Sequence, residues 1–395
     1  MENKKLDLKK IIIVNNNLEI GGVQTSLINL LKEISDKYDV TLLLFHAKPN
    51  KIAELPEKVN VIVINSPFKH FGMSSKDCKP YSFTYFARAF WVILAKCFGR
   101  SFIIKFMFPF QKKYRGYDCA ISFLHEGNPQ NMYGGCNEFV LRKIEADQKI
   151  GWVHCDFGLC GADIKKSRKI YERFDKIVAC SDGCKSAFLN CYPEFVDKTF
   201  SVRNCNDYER IGILSQNNSV EYDKSCFNIV TVARLSQEKA IERAIVAISE
   251  CIKLGYIINY HIVGAGSEED FLRKKVIEMG LEKMVKFYGN QSNPYPYIKK
   301  ADLFLLTSHH EAAPMVFDEA KFLGIPILAT KTTSTYEMIE KDGCGIVCEN
   351  TQDDITKKMV FVLSSSEALP QIRDNLKKIE FSNDKSVKDL TNVLG

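Results

Sequence analysis

Ala301-Asp302-Leu303-Phe304-Leu305-Leu306-Thr307-Ser308, followed by Glu311, Pro314 and Glu319, is the stretch whose reading decides the fold. Its apolar run suits a buried strand that ends at Ser308. A short acidic loop carries Glu311, and Pro314 suits the first residue of a helix. That helix holds Glu319 and stops at Gly324, after which Ile325-Pro326-Ile327-Leu328-Ala329 opens the next apolar run. The order is strand, acidic loop, helix, strand: one βαβ unit with a carboxylate at each end of its turn. A helix start at the carboxyl edge of a parallel sheet attracts anions, because free N–H groups and the helix dipole converge there. Carboxylates flanking such a site suit a ligand that also carries hydroxyls, as a sugar nucleotide does.

Outward from this unit the same alternation continues. Upstream lie strand Phe227–Ala233, helix Ala240–Leu254, strand Tyr260–Val263, helix Glu268–Met279 and strand Val285–Tyr288. The first half begins with strand Lys10–Asn15, a loop to Gly21-Gly22, an amphipathic helix Val23–Ile34 and strand Val40–Phe45. Further strands are expected at Val59–Ile64, Cys119–Leu124, Lys149–His154 and Lys176–Cys180. The predicted class is α/β, with two doubly wound Rossmann-like domains facing across a cleft. The expected boundaries are 1–205 for an N-terminal domain and 206–225 for a polar linker containing Ser215-Gln216-Asn217-Asn218-Ser219. A second domain follows over 226–383, and then a C-terminal helix, 384–395, packing back on the N-terminal domain.

The bulk numbers fit a soluble globular chain of two ordinary domains: 395 residues, 46% hydrophobic and 26% charged. The 14 cysteines are scattered without a Cys-x-x-Cys pair, and no histidine stands at zinc-finger spacing, so buried thiols in a reducing cytoplasm are expected. The polar start Met1–Lys10 has no secretory character, and no run reaches the ~20 apolar residues of a membrane span. The expected location is cytoplasmic, with peripheral attachment to the inner face of the membrane.

That attachment is read from residues 76–115. Lys76, Lys79, Arg88, Lys96, Arg100, Lys105, Lys112, Lys113 and Arg115 stand against one acid, Asp77, so this stretch carries +8 while the chain carries +6. It also holds 12 aromatic residues. Phe86, Phe90 and Trp91 fall on one helical face, and basic residues beside aromatics suit a helix lying in an anionic membrane surface. The alternative is a pair of core helices with snorkelling cations. No nucleic-acid-binding motif accompanies the patch.

Candidate site residues sit where strands end. Arg234 and Lys239 follow strand Phe227–Ala233, and a guanidinium fork with an ammonium suits a diphosphate. Gly21 and Gly22 open the first helix and permit close approach of a ligand. His154 closes strand Lys149–Val153, where it can reach a substrate, and His125-Glu126 end another strand. His261-Ile262-Val263-Gly264-Ala265-Gly266 lacks the third glycine of a dinucleotide fingerprint, so a tight structural turn is the better reading. His309-His310 rarely chelate one ion as neighbours. No Asp-x-Asp pair for a diphosphate-bound metal occurs.

Together these residues resemble the retaining family 4 glycosyltransferases of the GT-B fold, most strongly over Phe227–Gly345. Val232-Ala233-Arg234-Leu235 with Lys239 resembles that family's diphosphate-binding pair. Glu311 and Glu319 resemble its Glu-x7-Glu signature, followed by Gly324-Ile325-Pro326. The resemblance implies Glu311 against the transferred sugar, Glu319 on the nucleotide ribose, and amides near Pro314, Met315 and Val316 on the phosphates. It places His154 near the reacting sugar. It implies a metal-independent transferase without a cofactor, taking a nucleotide sugar as donor and a saccharide or lipid-linked acceptor in surface-polysaccharide assembly. Ala312 stands where the family usually has glycine, and Ala313 where an aromatic is common. A sugar-nucleotide epimerase and a non-catalytic relative on the same fold are the alternatives.

Overall fold

The computed structural model describes residues 8–19, 21–74, 77–217 and 220–395. The expectations that fell on Met1–Asp7, Lys76 and Asn218-Ser219 lie outside these residues. The chain forms two compact units, one reaching to Cys205 and regaining Asn383–Gly395, the other running from Asn206 to Ser382.

The first unit is built on seven parallel strands: β1 (Lys10–Asn15), β2 (Asp39–Leu44), β3 (Asn60–Val63), β4 (Tyr114–Ser122), β5 (Ile144–Val153), β6 (Lys176–Ala179) and β7 (Thr199–Ser201), in the order β3-β2-β1-β4-β5-β6-β7. β1 sits centrally, paired with β2 (Ile12 opposite Thr41) and with β4 (Ile12 opposite Ala120). Its residues Ile11, Ile12, Ile13 and Val14 are fully buried, as a strand covered on both faces requires. β4 and β5 start earlier than their apolar runs, at Tyr114 and Ile144, because polar residues pair at the amino edge beyond a register shift between Tyr114 and Tyr117.

The second unit repeats the plan with six parallel strands: β8 (Phe227–Val232), β9 (Ile258–Val263), β10 (Val285–Phe287), β11 (Leu303–Leu306), β12 (Ile327–Thr330) and β13 (Gly345–Cys348). The order is β10-β9-β8-β11-β12-β13, so the direction of winding reverses between β8 and β11. In open parallel sheets, ligands bind outside the carboxyl ends of the strands at such a reversal.

Residues 206–225, expected as a linker, contain helix Tyr208–Leu214. Asp207 caps it by accepting from the Arg210 N–H at 3.0 Å, Ile211 is buried, and the Tyr208 ring lies 5.3 Å from that of Phe322. A polar sequence thus hid a capped helix with one apolar anchor. Helix Asp384–Leu394 buries Leu390, Val393 and Leu394 in the core of the first unit. Its last carbonyls accept from lysines, Val393 from Lys176 Nζ and Leu394 from Lys9 Nζ, each at 2.6 Å.

Between β3 and β4, the basic aromatic stretch forms two helices, Phe83–Phe98 and Arg100–Met107. Phe83, Phe86, Phe90, Ile93, Phe98, Phe102, Phe106 and Phe110 are all exposed, and in the longer helix only Ala95 is fully buried. The shorter helix is anchored by Arg100, a buried guanidinium paired with Glu126 at 2.6 Å. Arg100 also donates to the Tyr133 carbonyl at 2.9 Å, while Asn137 Nδ2 donates to the other Glu126 oxygen at 2.9 Å. The His125-Glu126 end of β4 therefore carries a buried, fully partnered carboxylate. No helix among the described residues is long and apolar enough to cross a membrane.

Candidate functional site

In the second unit the loops after β8 and β11 lie at the winding reversal and are tied to each other. The Thr307 hydroxyl donates to the Ala240 carbonyl at 2.9 Å, and the His309 N–H donates to the Glu238 carbonyl at 2.8 Å. Arg243, buried in the helix Ile241–Lys253, donates to the Thr307 carbonyl (3.3 Å) and to Asn350 Oδ1 (2.6 Å) and meets His309 Nδ1 at 3.1 Å. Ala240 takes the left-handed conformation, φ 47°, which turns the chain from the loop into that helix.

This frame brings Lys239 and Glu311 together. Lys239 Nζ lies 2.5 Å from Glu311 Oε1, and the fully buried Ser308 donates to the same oxygen at 2.6 Å. Arg234 is different: its side chain is 68% exposed and, among the described residues, pairs only with the exposed Glu238. Exposed pairs contribute about 0–1 kcal/mol, so this guanidinium is cheaply redirected toward an anion.

Gly264 and Gly266 hold the first loop from behind. A Cβ on Gly264 would stand 1.9 Å from the Ala233 carbonyl oxygen, and one on Gly266 would stand 2.0 Å from that of Leu235. The Leu235 N–H donates to the Ala265 carbonyl and the Glu268 N–H to the Leu235 carbonyl. The Gly-x-Gly pair thus lets two backbones touch.

Pro314 is the N-cap rather than the first helical residue, with extended ψ 117°, and the helix runs Met315–Phe322. The first N–H groups of a helix lack intrahelical partners, so those at Met315 and Val316 form the anion-attracting end beside Glu311. Gly324, at φ 75°, stops the helix, with the Ile325 N–H donating to the Ala320 carbonyl. Glu319, one turn in, is partly buried, and burial, with Asp318 beside it, pushes its carboxyl up to about 7. No hydrogen bond or ion pair to the Glu319 carboxylate is present among the described residues.

The remaining predicted residues lie at the carboxyl edge of the first unit's sheet. Gly21 and Gly22 follow β1. The Gly21 carbonyl accepts from the Thr25 N–H, and a Cβ on Gly22 would meet nothing within 4 Å. Openness is what Gly22 supplies, whereas a Cβ on Gly21 would stand 2.6 Å from Gln24 Oε1, the end of a flexible side chain. His154 follows β5 and is buried, its ring stacked 5.8 Å from Trp152 and tilted 4.6 Å from Phe123. Burial, with His125 nearby, holds its pKa well below the usual imidazole value. Its Nε2 has no hydrogen-bond partner among the described residues.

Sequence reasoning gave no role to Ser308, Thr307, Arg243 or Asn350. Ser308 was visible as a polar residue closing an apolar strand three positions before Glu311. The other three act through backbone carbonyls and one another, which residue spacing does not reveal. His309 is used in this frame, and among the described residues no group of three His, Cys, Asp or Glu side chains is arranged to hold a metal.

Known proteins share parts of this arrangement. The O-antigen biosynthesis glycosyltransferase WbnH of Escherichia coli is 35% identical over 153 residues, 37% of this chain and 42% of the relative. The putative colanic acid biosynthesis glycosyltransferase WcaL of Escherichia coli K12 is 28% identical over 179 residues, 42% of this chain and 44% of the relative. The chain thus spans somewhat over two fifths of these curated relatives. Over its whole length it is similar in fold to Anabaena HepE, solved with UDP, at a TM-score of 0.68 and 18% identity, covering 98% of this chain and 99% of that one. Residues 216–379, which hold both loops and the helix after them, match the family described as Glycosyl transferases group 1.

Proposed function

We propose that this protein is a retaining glycosyltransferase, moving a sugar from a nucleotide diphosphate to a saccharide or lipid-linked acceptor in surface-polysaccharide assembly. The observation that carries the reading is the Lys239–Glu311 pair at the winding reversal, beside the N-terminus of helix Met315–Phe322 and the loosely held Arg234. Arg234, Lys239 and the helix N-terminus neutralise the diphosphate as it leaves, a stabilisation that grows with the developing charge. This charge set needs no metal, and the reaction no cofactor. Glu311, with one oxygen occupied by Lys239 and Ser308, presents the other to sugar hydroxyls. Glu319 accepts from the ribose. His154, neutral at physiological pH, hydrogen-bonds at the reacting centre, and Gly21-Gly22 leave room for the ligand. UDP and UDP-glucose bound to HepE support a uridine donor. The exposed aromatic residues of 77–115 support peripheral attachment to an anionic membrane from the cytoplasmic side.

The test is thermal stabilisation by UDP-, GDP- and ADP-sugars with EDTA present, on the wild type and Lys239→Ala. A ligand at 100 times its Kd adds about 2.7 kcal/mol. A shift with one nucleotide class, lost in the variant, supports the reading; no shift with any overturns it.

A further inference from the structure

The helix Phe83–Phe98 poses a packing problem. Sixteen residues long and rich in aromatics, it has one fully buried residue, Ala95. Large contiguous apolar surfaces on soluble proteins mark interaction sites. This surface is also grooved. Where the helix faces the segment after β3, a groove of about 640 Å³ is lined by Ser66, Pro67, Lys69 and His70 on one side and by residues including Phe86 and Trp91 on the other.

Three features limit what fits there. The lining on the helix side is Phe83, Thr84, Phe86, Ala87, Phe90 and Trp91, so the occupant is apolar over most of its length. The stretch that forms the helix side is rich in cations: residues 78–117 contain eight Lys or Arg and no Asp or Glu, and of these Arg100 is paired with Glu126, and Lys113 and Arg115 with Glu145. The acid just before this run, Asp77, is paired with Lys48 at 2.8 Å, and Lys69 stands in the groove wall itself. The third feature is His70, 95% buried in the same wall, whose Nδ1 has no hydrogen-bond partner among the described residues. The groove starts at the carboxyl end of β3, on the sheet edge from which Gly21-Gly22 and His154 also emerge.

We infer that this groove receives the hydrocarbon chain of a single-chain phosphate lipid, the carrier of the acceptor saccharide, with the phosphate held by Lys69 and the neighbouring cations. The inference rests on the lipid-linked-acceptor reading above. The apolar chain accounts for the groove, and the anionic head accounts for a wall and rim with cations but no free acid. The aromatic residues outside the groove, Phe98, Phe102 and Phe106, lie in the membrane interface from which the lipid is drawn.

The test uses farnesyl phosphate, farnesol and phosphatidylglycerol vesicles, with binding read by calorimetry and by Trp91 emission. Saturable one-to-one binding of farnesyl phosphate is expected, at least tenfold tighter than farnesol. Ala87→Phe and Thr84→Phe, which fill the groove, weaken it at least tenfold. Phe98→Ser, outside the groove, leaves it unchanged while weakening vesicle binding. Should a filling variant unfold, Lys69→Ala gives the same answer through loss of the preference over farnesol. Binding unaffected by groove filling, equal affinity for farnesol, or binding to vesicles alone each overturns the inference. The nucleotide-sugar shift is measured on the same samples. Farnesyl phosphate binding without that shift refutes the transferase reading and leaves the groove standing; the reverse refutes the groove alone.

Discussion

Lys239 and Ser308 both donate to one oxygen of Glu311, at 2.5 and 2.6 Å, so the carboxylate is fixed in place before any ligand arrives. The two donors come from different loops, and fixing a charged group beforehand is what makes it effective in a transition state. Lys239→Ala is expected to lower turnover by about 10²–10³-fold, the range for losing one preorganised charge contact. Glu311→Gln keeps the Ser308 hydrogen bond and is expected to lower turnover similarly while leaving nucleoside-diphosphate affinity within a few fold. Calorimetry with UDP beside steady-state rates separates the two; equal loss of UDP affinity in both would refute the division of labour.

Glu319 sets a pH dependence. Its folded pKa, about 7, lies above the ordinary carboxylate value, so the folded state binds the extra proton more tightly than the unfolded state. Stability contributed by this group is therefore full at low pH and lost as pH rises toward 7. Glu319→Gln is expected to flatten the change in stability between pH 5 and 8 by a kcal/mol or more, each pKa unit being worth about 1.4 kcal/mol. Urea unfolding at the two pH values, variant against wild type, measures it. A difference of opposite sign would contradict the burial argument. Glu138 in the first unit is also raised to about 7, by burial and then by Glu126, which is why the comparison is between variant and wild type.

Gly264→Ala is expected to be severe. Its Cβ would fall 1.9 Å from a backbone oxygen that cannot swing aside, at a φ of 141° that side chains rarely adopt. A loss of several kcal/mol, with weakened UDP binding from displacement of residues 233–240, is the expected outcome. Chemical unfolding with calorimetry on the surviving protein checks both, and a variant as stable as wild type would show that the loop gives way.

The alternating fold was legible because buried parallel strands read as continuous apolar runs, as Ile11-Ile12-Ile13-Val14 and Leu303-Phe304-Leu305-Leu306 do. Charged candidates such as Arg234, Lys239 and Glu311 stood at strand ends, so position pointed to them. Helix Tyr208–Leu214 was hidden because a cap and a few ring contacts carry it, and these exist only once Phe322 and Phe381 are in place. The ties from Thr307, His309 and Arg243 were hidden because their partners are carbonyls, which every residue has. The groove beside Trp91 depends on a space between two segments, and composition reports no spaces.

His154 is expected to act without titrating. Burial, with His125 nearby, holds its pKa well below the usual imidazole value, so His154→Ala should reduce turnover without moving the inflections of the pH–rate profile between pH 6.5 and 8. UDP affinity should stay unchanged, since UDP is assigned to the second unit. Disappearance of a titration in the variant would show that the imidazole exchanges its proton in that range.

Arg100→Met is expected to destabilise the first unit by about 3–5 kcal/mol, because it strands the buried Glu126 without its cation. Adding Glu126→Leu should recover much of the loss. Thermal unfolding of the single and double variants measures the coupling, and purely additive losses would mean that packing, not charge, dominates.

Residues 383–395 give the chain an order of completion. Leu390, Val393 and Leu394 fill the core of the unit that is synthesised first, and the lysines that hold that helix are Lys9 and Lys176. During translation the early unit therefore waits with an open apolar seam on its sheet until the whole of the later unit has left the ribosome. The half that carries the exposed aromatic helices is therefore also the last to be sealed.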